Sequence, residues 1–265
     1  MKFFSLVITF TTLCFSMLCG DNIQESDRFF VVSPPKTGTF LIGKVMSMIT
    51  KKEPYYVLAE FGTVDQTMSL ADTLDATNQF LVGHNYTDDI VNRLVKKGYK
   101  VIFIYRDPRD QLISIMNWMR EGEWSWLGAS KLKETNHIIE ELITGSKYGF
   151  KAYEHAFVRY ETTVEDLSSS VLYFTRFENL VGDQGGGTKN AQINEILNLA
   201  DFVGVELDYE DASVLADLTF GNTMTFRSGK IGAWKKYFTP KHKNLYKRSY
   251  QNELKRLGYE KDMNW

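Results

Sequence analysis

The residues of this chain best suited to chemistry are cations and hydroxyls gathered at three points. Ser33-Pro34-Pro35-Lys36-Thr37-Gly38-Thr39 joins an apolar run to an amphipathic one through a glycine. Backbone N–H groups at the start of a helix, together with Lys36 and the hydroxyls of Thr37 and Thr39, would cradle a phosphate. The bland alternative is a Pro-rich connector. Tyr105-Arg106-Asp107-Pro108-Arg109-Asp110 follows the apolar run Lys100 to Tyr105, and Ser114 stands about two helical turns beyond Arg106. Arginine suits bidentate binding of phosphate, although Arg109 could equally pair with Asp110 or another carboxylate. The third group lies between Phe226 and Thr239, where Arg227, Gly229, Lys230, Gly232, Lys235 and Lys236 share one irregular stretch. It reads either as a basic segment that closes over an anion or as a solvated loop anchored by Trp234 and Phe238.

Several reaction classes drop out at once. Gly38 to Lys44 satisfies G-x-x-x-x-G-K, but Val45 follows where a magnesium-holding Ser or Thr would stand, and the interior is apolar rather than loop-forming. A P-loop kinase therefore lacks its metal ligand. Both cysteines, Cys14 and Cys19, lie in the first twenty residues, so the remaining chain has no thiol nucleophile, disulfide or zinc thiolate. The 31 basic against 33 acidic residues give a net charge of −2, so an anion must be met by local donors, and nucleic acid is not an expected partner.

The elements that must position these groups follow from periodicity. Arg28 to Ser33, Phe80 to Gly83, Lys100 to Tyr105 and Val171 to Thr175 are short apolar runs with the character of strands. Thr39 to Ile49, Asp88 to Lys97, Thr188 to Val203, Tyr209 to Leu218 and Pro240 to Leu257 carry helical spacing, and Asp107-Pro108 is an N-cap and first-turn pair. Strands alternating with helices imply a single α/β domain, with a central parallel sheet flanked by helices and a P-loop-like strand-loop-helix phosphate site. In such sheets ligands bind beyond the carboxyl ends of the strands, where the first two groups fall. Gly185-Gly186-Gly187 reads as a flexible loop between strand and helix.

The N-terminus is read separately. Phe3 to Leu18 is uncharged and follows Lys2, like the apolar region of a signal sequence. At about 1.5 Å per residue it reaches about 24 Å, short of the roughly 30 Å hydrocarbon core. Residues 1–21 are therefore expected to be a secretory signal or short membrane anchor and 22–265 the folded domain, in the secretory pathway or at a membrane. If the segment is not functional, the protein is cytoplasmic.

Taken in order, Pro35-Lys36-Thr37-Gly38-Thr39, Tyr105 to Asp110 with Ser114, and Arg227-x-Gly229-x-x-Gly232-x-Trp234-Lys235 with Phe238-Thr239 resemble the three motifs of the sulfotransferases that use 3′-phosphoadenosine 5′-phosphosulfate (PAPS). The resemblance runs from the first strand to the C-terminus. It implies that Lys36, Thr37, Gly38 and Thr39 hold the 5′-phosphosulfate, with Lys36 also neutralising the bridging oxygen, and that Phe40 packs near adenine. Arg106 and Ser114 match the pair that binds the 3′-phosphate, and Arg227, Ser228 and Gly229 match a segment that closes on it. Ser228 replaces that segment's lysine, and one charge is lost unless Lys230 substitutes. Phe177-Glu178-Asn179 resembles a Tyr-Glu-Asp segment whose aromatic contacts adenine, and Thr219-Phe220 resembles a further adenine contact. The product would be 3′-phosphoadenosine 5′-phosphate (PAP), and no metal is required.

Transfer to a hydroxyl, or an amine, needs a base. His137, His155 and His242 are expected at the surface, whereas His84 follows the strand-like run Phe80 to Gly83 and matches the family's catalytic histidine by position, although the family's lysine two residues earlier is Val82 here. Trp118, Trp124 and Trp126 with Met116 and Met119 could line a site for a small-molecule or glycan acceptor, or could simply be core. The sequon Asn85-Tyr86-Thr87 adjoins His84, and a glycan there would obstruct the site. The alternative function is a catalytically impaired nucleotide-binding or interaction protein on the same fold, with a small P-loop kinase, disfavoured by Val45, behind it.

Overall fold

The computed structural model describes residues 28–57, 64–84, 88–120, 134–145, 170–224, 226–250 and 253–265. The apolar N-terminal segment, the Asn85 sequon, Trp124, Trp126 and His155 lie outside them. No helix among the described residues is long and apolar enough to cross a membrane.

Five strands, β1 (Phe29–Val32), β2 (Glu53–Val57), β3 (Gln79–Gly83), β4 (Lys100–Tyr105) and β5 (Leu172–Arg176), pair in the order β2-β3-β1-β4-β5. Every pairing is parallel, and β1 is central, with Phe30 opposite Leu81 on one side and Val101 on the other. Because side chains alternate along a strand, β1 feeds two cores. Phe29 and Val31 pack with Val82, Ile104, Ile42 and Met46 on one face, while Phe30 and Val32 pack with Leu81, Phe103, Val91 and Leu94 on the other. Burial on both faces is why the central strands β1 and β4 are nearly continuous apolar runs.

The helices are α1 (Thr39–Thr50), α2 (Val64–Thr73), α3 (Asp88–Lys96), α4 (Pro108–Arg120), α5 (Thr135–Thr144), α6 (Lys189–Val203), α7 (Tyr209–Thr219) and α8 (Pro240–Tyr250), with single turns elsewhere. Their starts obey capping chemistry. Asp208 accepts the Asp211 N–H at 2.8 Å, Thr188 accepts the Ala191 N–H at 3.2 Å, and Asp107 accepts the Arg109 N–H at 2.9 Å with Pro108 in the first helical position. A third core joins α4 and α5 to the C-terminal region through Met116, Ile139, Trp234, Phe238 and Tyr246.

The structure corrects two readings. Gly185-Gly186-Gly187 is a hydrogen-bonded turn rather than a flexible linker: the Gly187 N–H donates to Gly182 O at 2.8 Å, and Gly185 O accepts the Ile231 N–H at 2.9 Å. A Cβ at Gly185 would collide with Val181 and lie 2.9 Å from the Gly229 carbonyl oxygen, so glycine here permits close approach of two main chains. His242, expected at the surface, is 1% exposed, because α8 turns that face onto α5 and the Phe238 ring. His137 is exposed as expected and contacts Glu141 at 3.1 Å.

Candidate active site

Strand order decides where the site forms. From β1 the chain's pairing partners diverge, β3 to one side and β4 to the other, so the loops after these three strands meet at one topological switch point. A cleft of about 340 Å³ opens there. Lys36, Gly38, Thr39 and Phe40 line it from the first loop, His84 from the end of β3, and Arg106 and Ser114 from β4 and α4. Phe177, Phe220, Arg227, Ser228 and Gly229 complete the far wall. Segments separated by more than a hundred residues in sequence thus share one concave surface.

The first loop is built from its own hydroxyls. Ser33 Oγ lies 3.0 Å from Thr37 Oγ1 and 2.8 Å from Thr39 Oγ1, and Thr37 donates to Pro34 O at 2.7 Å. Thr37 is buried and does not line the cleft, so its hydroxyl shapes the loop instead of facing a ligand. Lys36 adopts a positive φ of 67°, and its ammonium sits 5.3 Å from the centre of the Trp118 ring, which holds the charge at the cleft. Gly38 precedes α1 at φ 113°, and the first N–H groups of that helix lack intrahelical acceptors. A Cβ at Gly38 would stand 2.9 Å from Phe177 Cδ2 and 3.3 Å from Ile104 Cδ1. Gly38→Ala is therefore expected to cost about 1–3 kcal/mol of stability, read as a lowered Tm in thermal unfolding. An unchanged Tm would contradict this account of the loop.

Two arginines three residues apart have opposite fates. The Arg106 guanidinium lies 4.1 Å over the Phe177 ring and donates from Nη2 to Lys230 O at 3.1 Å, while its Nε is buried with no hydrogen-bond partner among the described residues. Burial lowers its pKa, and the carboxylates of Asp110, Glu178 and Asp107 oppose that shift. An unpartnered buried donor costs about 1–3 kcal/mol, a cost that an anion in the cleft would relieve. Arg109 turns away from the cleft. It pairs with Asp107 at 2.8 Å and Glu260 at 2.5 Å, with its guanidinium 4.0 Å from the centre of the Trp234 ring and 4.6 Å from that of Trp265.

Asp110 is a site residue that the motif pattern did not single out. Its buried carboxylate accepts the Gly232 N–H at 2.7 Å and the Trp234 N–H at 2.9 Å, docking the third basic segment onto α4. Burial raises its pKa, chiefly opposed by Arg106. Helical spacing was the available signal, because Asp110, Ser114 and Trp118 recur every fourth residue on the cleft side of α4. Asn117, Met224 and Phe226 also line the cleft without having been expected there.

At the end of β3 the His84 ring meets Ser33 O at 2.6 Å through Nδ1. A carbonyl oxygen only accepts, so the proton resides on Nδ1 and the Nε2 lone pair is left available. Burial lowers the His84 pKa below its usual 6.5, the bond to Ser33 opposes that, and the nearby Lys36 charge lowers it further. Burial thus favours the neutral form of this imidazole.

The remaining motif residues serve the frame. Thr219 is fully buried, donates to Leu215 O at 2.8 Å and does not line the cleft. Lys44 caps the end of α7 through Thr219 O at 3.4 Å and Gly221 O at 3.2 Å, and Val45 beside it is core. Glu178 accepts the Asp107 N–H and the Tyr259 O–H, each at 2.9 Å, and Asn179 donates to Glu195 at 2.8 Å. Lys230 does not replace a charge at Ser228: its ammonium donates to Gln184 O, outside the cleft lining. Met116 and Met119 are core, leaving Trp118 as the described member of that aromatic group facing the cleft.

A parallel α/β sheet thus gathers a glycine-bearing strand-loop-helix turn, a guanidinium and a histidine at its switch point. The sulfotransferase domain family model matches residues 26–258, and the chain belongs to that family. It is 25% identical to cytosolic sulfotransferase 17 of Arabidopsis thaliana, over 80% of this chain and 70% of that one, and 20% identical to the amine sulfotransferase of Oryctolagus cuniculus, over 87% and 82%. The fold is shared with mouse sulfotransferase SULT7A1 solved with PAP (TM-score 0.64, 16% identity, 86% of this chain and 85% of that one). It is also shared with retinol dehydratase solved with androsterone and PAP (TM-score 0.60, 15% identity, 86% and 80%).

Proposed function

We propose that this enzyme transfers a sulfuryl group from PAPS to a hydroxyl or amine of a small-molecule or glycan acceptor, with His84 as general base. The observation that carries the reading is the meeting, in one cleft, of the unpartnered Arg106 Nε and the Lys36 loop with a histidine whose neutral form burial favours. Bound PAPS supplies the activated sulfuryl group. The chain's residues do the rest. Lys36 and the N–H groups at the start of α1 bind the phosphosulfate end and stabilise charge on the departing phosphate. Arg106, Ser114, Arg227, Ser228 and Gly229 bind the 3′-phosphate end, and Phe40, Phe177 and Phe220 offer faces to adenine. His84 Nε2 takes the acceptor's proton while the Ser33 carbonyl holds the ring in orientation. Trp118 lies where it could meet an acceptor as well as Lys36.

The test is transfer of radiolabelled sulfate from PAPS to a panel of alcohols, phenols and amines, beside calorimetric titration with PAP. Transfer to at least one acceptor is expected. Binding of PAP without any transfer would favour a nucleotide-binding protein, and no binding would overturn the reading. The reaction needs neutral His84, so kcat/KM should fall as pH drops through its pKa, with the acid limb centred below 6.5. A limb above that value would implicate another group. Residues 1–21 we read as a secretory signal or anchor. Full glycan occupancy at Asn85 with activity retained, seen by mass spectrometry of protein from a secretory host, would sink the assignment of His84.

A further inference from the structure

Ser228 raises a question of donor choice. A phosphomonoester carries about −1.5 to −2 charge at neutral pH, and PAPS brings a phosphosulfate as well. Against this, the described cations lining the cleft are Lys36, Arg106 and Arg227, and the carboxylate of Asp110 lines it too. The neighbouring ammonium groups are engaged elsewhere: Lys44 with Thr219 O and Gly221 O, Lys230 with Gln184 O, and Lys235 at 5.9 Å from the Trp234 ring centre. At the end of the cleft assigned above to the 3′-phosphate, the donors are two guanidiniums, two hydroxyls and the main chain of Gly229, with no ammonium group. One of those guanidiniums, Arg106, already answers to Asp110, and the other, Arg227, is exposed, where solvent and salt weaken its pull. A hydroxyl donating to phosphate lacks the positive charge that an ammonium would add to the same hydrogen bond.

We propose that Ser228 makes this cleft weakly selective for the 3′-phosphate, so that the enzyme also accepts adenosine 5′-phosphosulfate, the donor without that group. This rests on the sulfotransferase reading of the same site. With either donor the bond changes are the same. The acceptor oxygen or nitrogen bonds to sulfur, the bond from sulfur to the bridging oxygen breaks with its electron pair left on the 5′-phosphate, and the acceptor proton passes to His84. The 3′-phosphate takes no part in them, so its contribution is binding alone.

The experiment titrates PAP and adenosine 5′-monophosphate into the full chain and into Ser228→Lys, an exposed position where the variant keeps its fold. In the wild type PAP is expected to bind less than about 100-fold more tightly than the monophosphate, and in Ser228→Lys that ratio should rise about tenfold, through PAP alone, with a steeper dependence on salt. Transfer from adenosine 5′-phosphosulfate should be measurable in the wild type and fall relative to PAPS in the variant. A wild-type ratio above about 100, a ratio unmoved by Ser228→Lys, or transfer from PAPS with none from adenosine 5′-phosphosulfate overturns this proposal, while PAP binding keeps the sulfotransferase reading intact. Failure to bind either nucleotide overturns both.

Discussion

Replacing His84 with alanine is expected to lower kcat by about 10²–10⁴-fold, the usual contribution of a positioned base, while PAP affinity changes by less than about threefold. The split follows from geometry. The ring is tied to Ser33 O on one side and offers Nε2 on the other, so its loss removes a proton acceptor without touching Arg106 or the loop N–H groups. Asparagine is the sharper probe, because its amide can still donate to Ser33 O yet cannot take a proton at pH 7. Equal losses in His84→Ala and His84→Asn would assign the histidine to proton transfer. Turnover restored in the asparagine variant would reduce it to a structural peg, and unchanged turnover in both would require a different base.

The second large effect is on stability. Arg109→Met is expected to destabilise the fold by about 3–5 kcal/mol, because removing one partner leaves the other charges buried and unpaired. The Arg109 side chain is 3% exposed and that of Asp107 8%, with Glu260 held from the C-terminal region, and the guanidinium stacks on Trp234 and Trp265. Urea unfolding would show the loss as a lowered midpoint at unchanged slope. A change under about 1 kcal/mol, the range of ordinary surface substitutions and weak pairs, would mean that methionine packing between the two rings replaces the ion pair. Arg106, three residues earlier in the same motif, should behave oppositely. It lines the cleft and makes no ion pair like that of Arg109 with Asp107 and Glu260, so its removal should weaken nucleotide binding more than folding.

What the sequence revealed of this fold depended on whether the signal was local. β1 and β4 were legible because buried parallel strands are continuous apolar runs, and α4 because Asp107-Pro108 is its own start signal. β2 was not found. As an edge strand it exposes alternate residues and tolerates Pro54, so it lacks an apolar run. The glycine run was misjudged because composition cannot distinguish a linker from a place where two main chains must touch. His242 was misjudged because its basic neighbours describe the other side of α8. In the site, the motifs located the loops but not the direction of each side chain. Thr37 and Thr219 sit in matching positions with hydroxyls turned into the frame, and Lys230 points at Gln184. Asp110 stayed invisible as a docking residue because its partners, Gly232 and Trp234, are more than a hundred residues away.

The central position of β1 carries a consequence for how the chain reaches its working form. Phe30 must find Leu81 and Val101, partners about fifty and seventy residues downstream, before either core can close. Pairings of that sequence separation form slowly, since loop-closure entropy is lost before contacts reward it. The loops after β1, β3 and β4 come together only when β1 is seated between its neighbours. Capacity to bind nucleotide should therefore appear with the last large step of refolding, and a nucleotide that binds only that state pulls the whole folding equilibrium toward it.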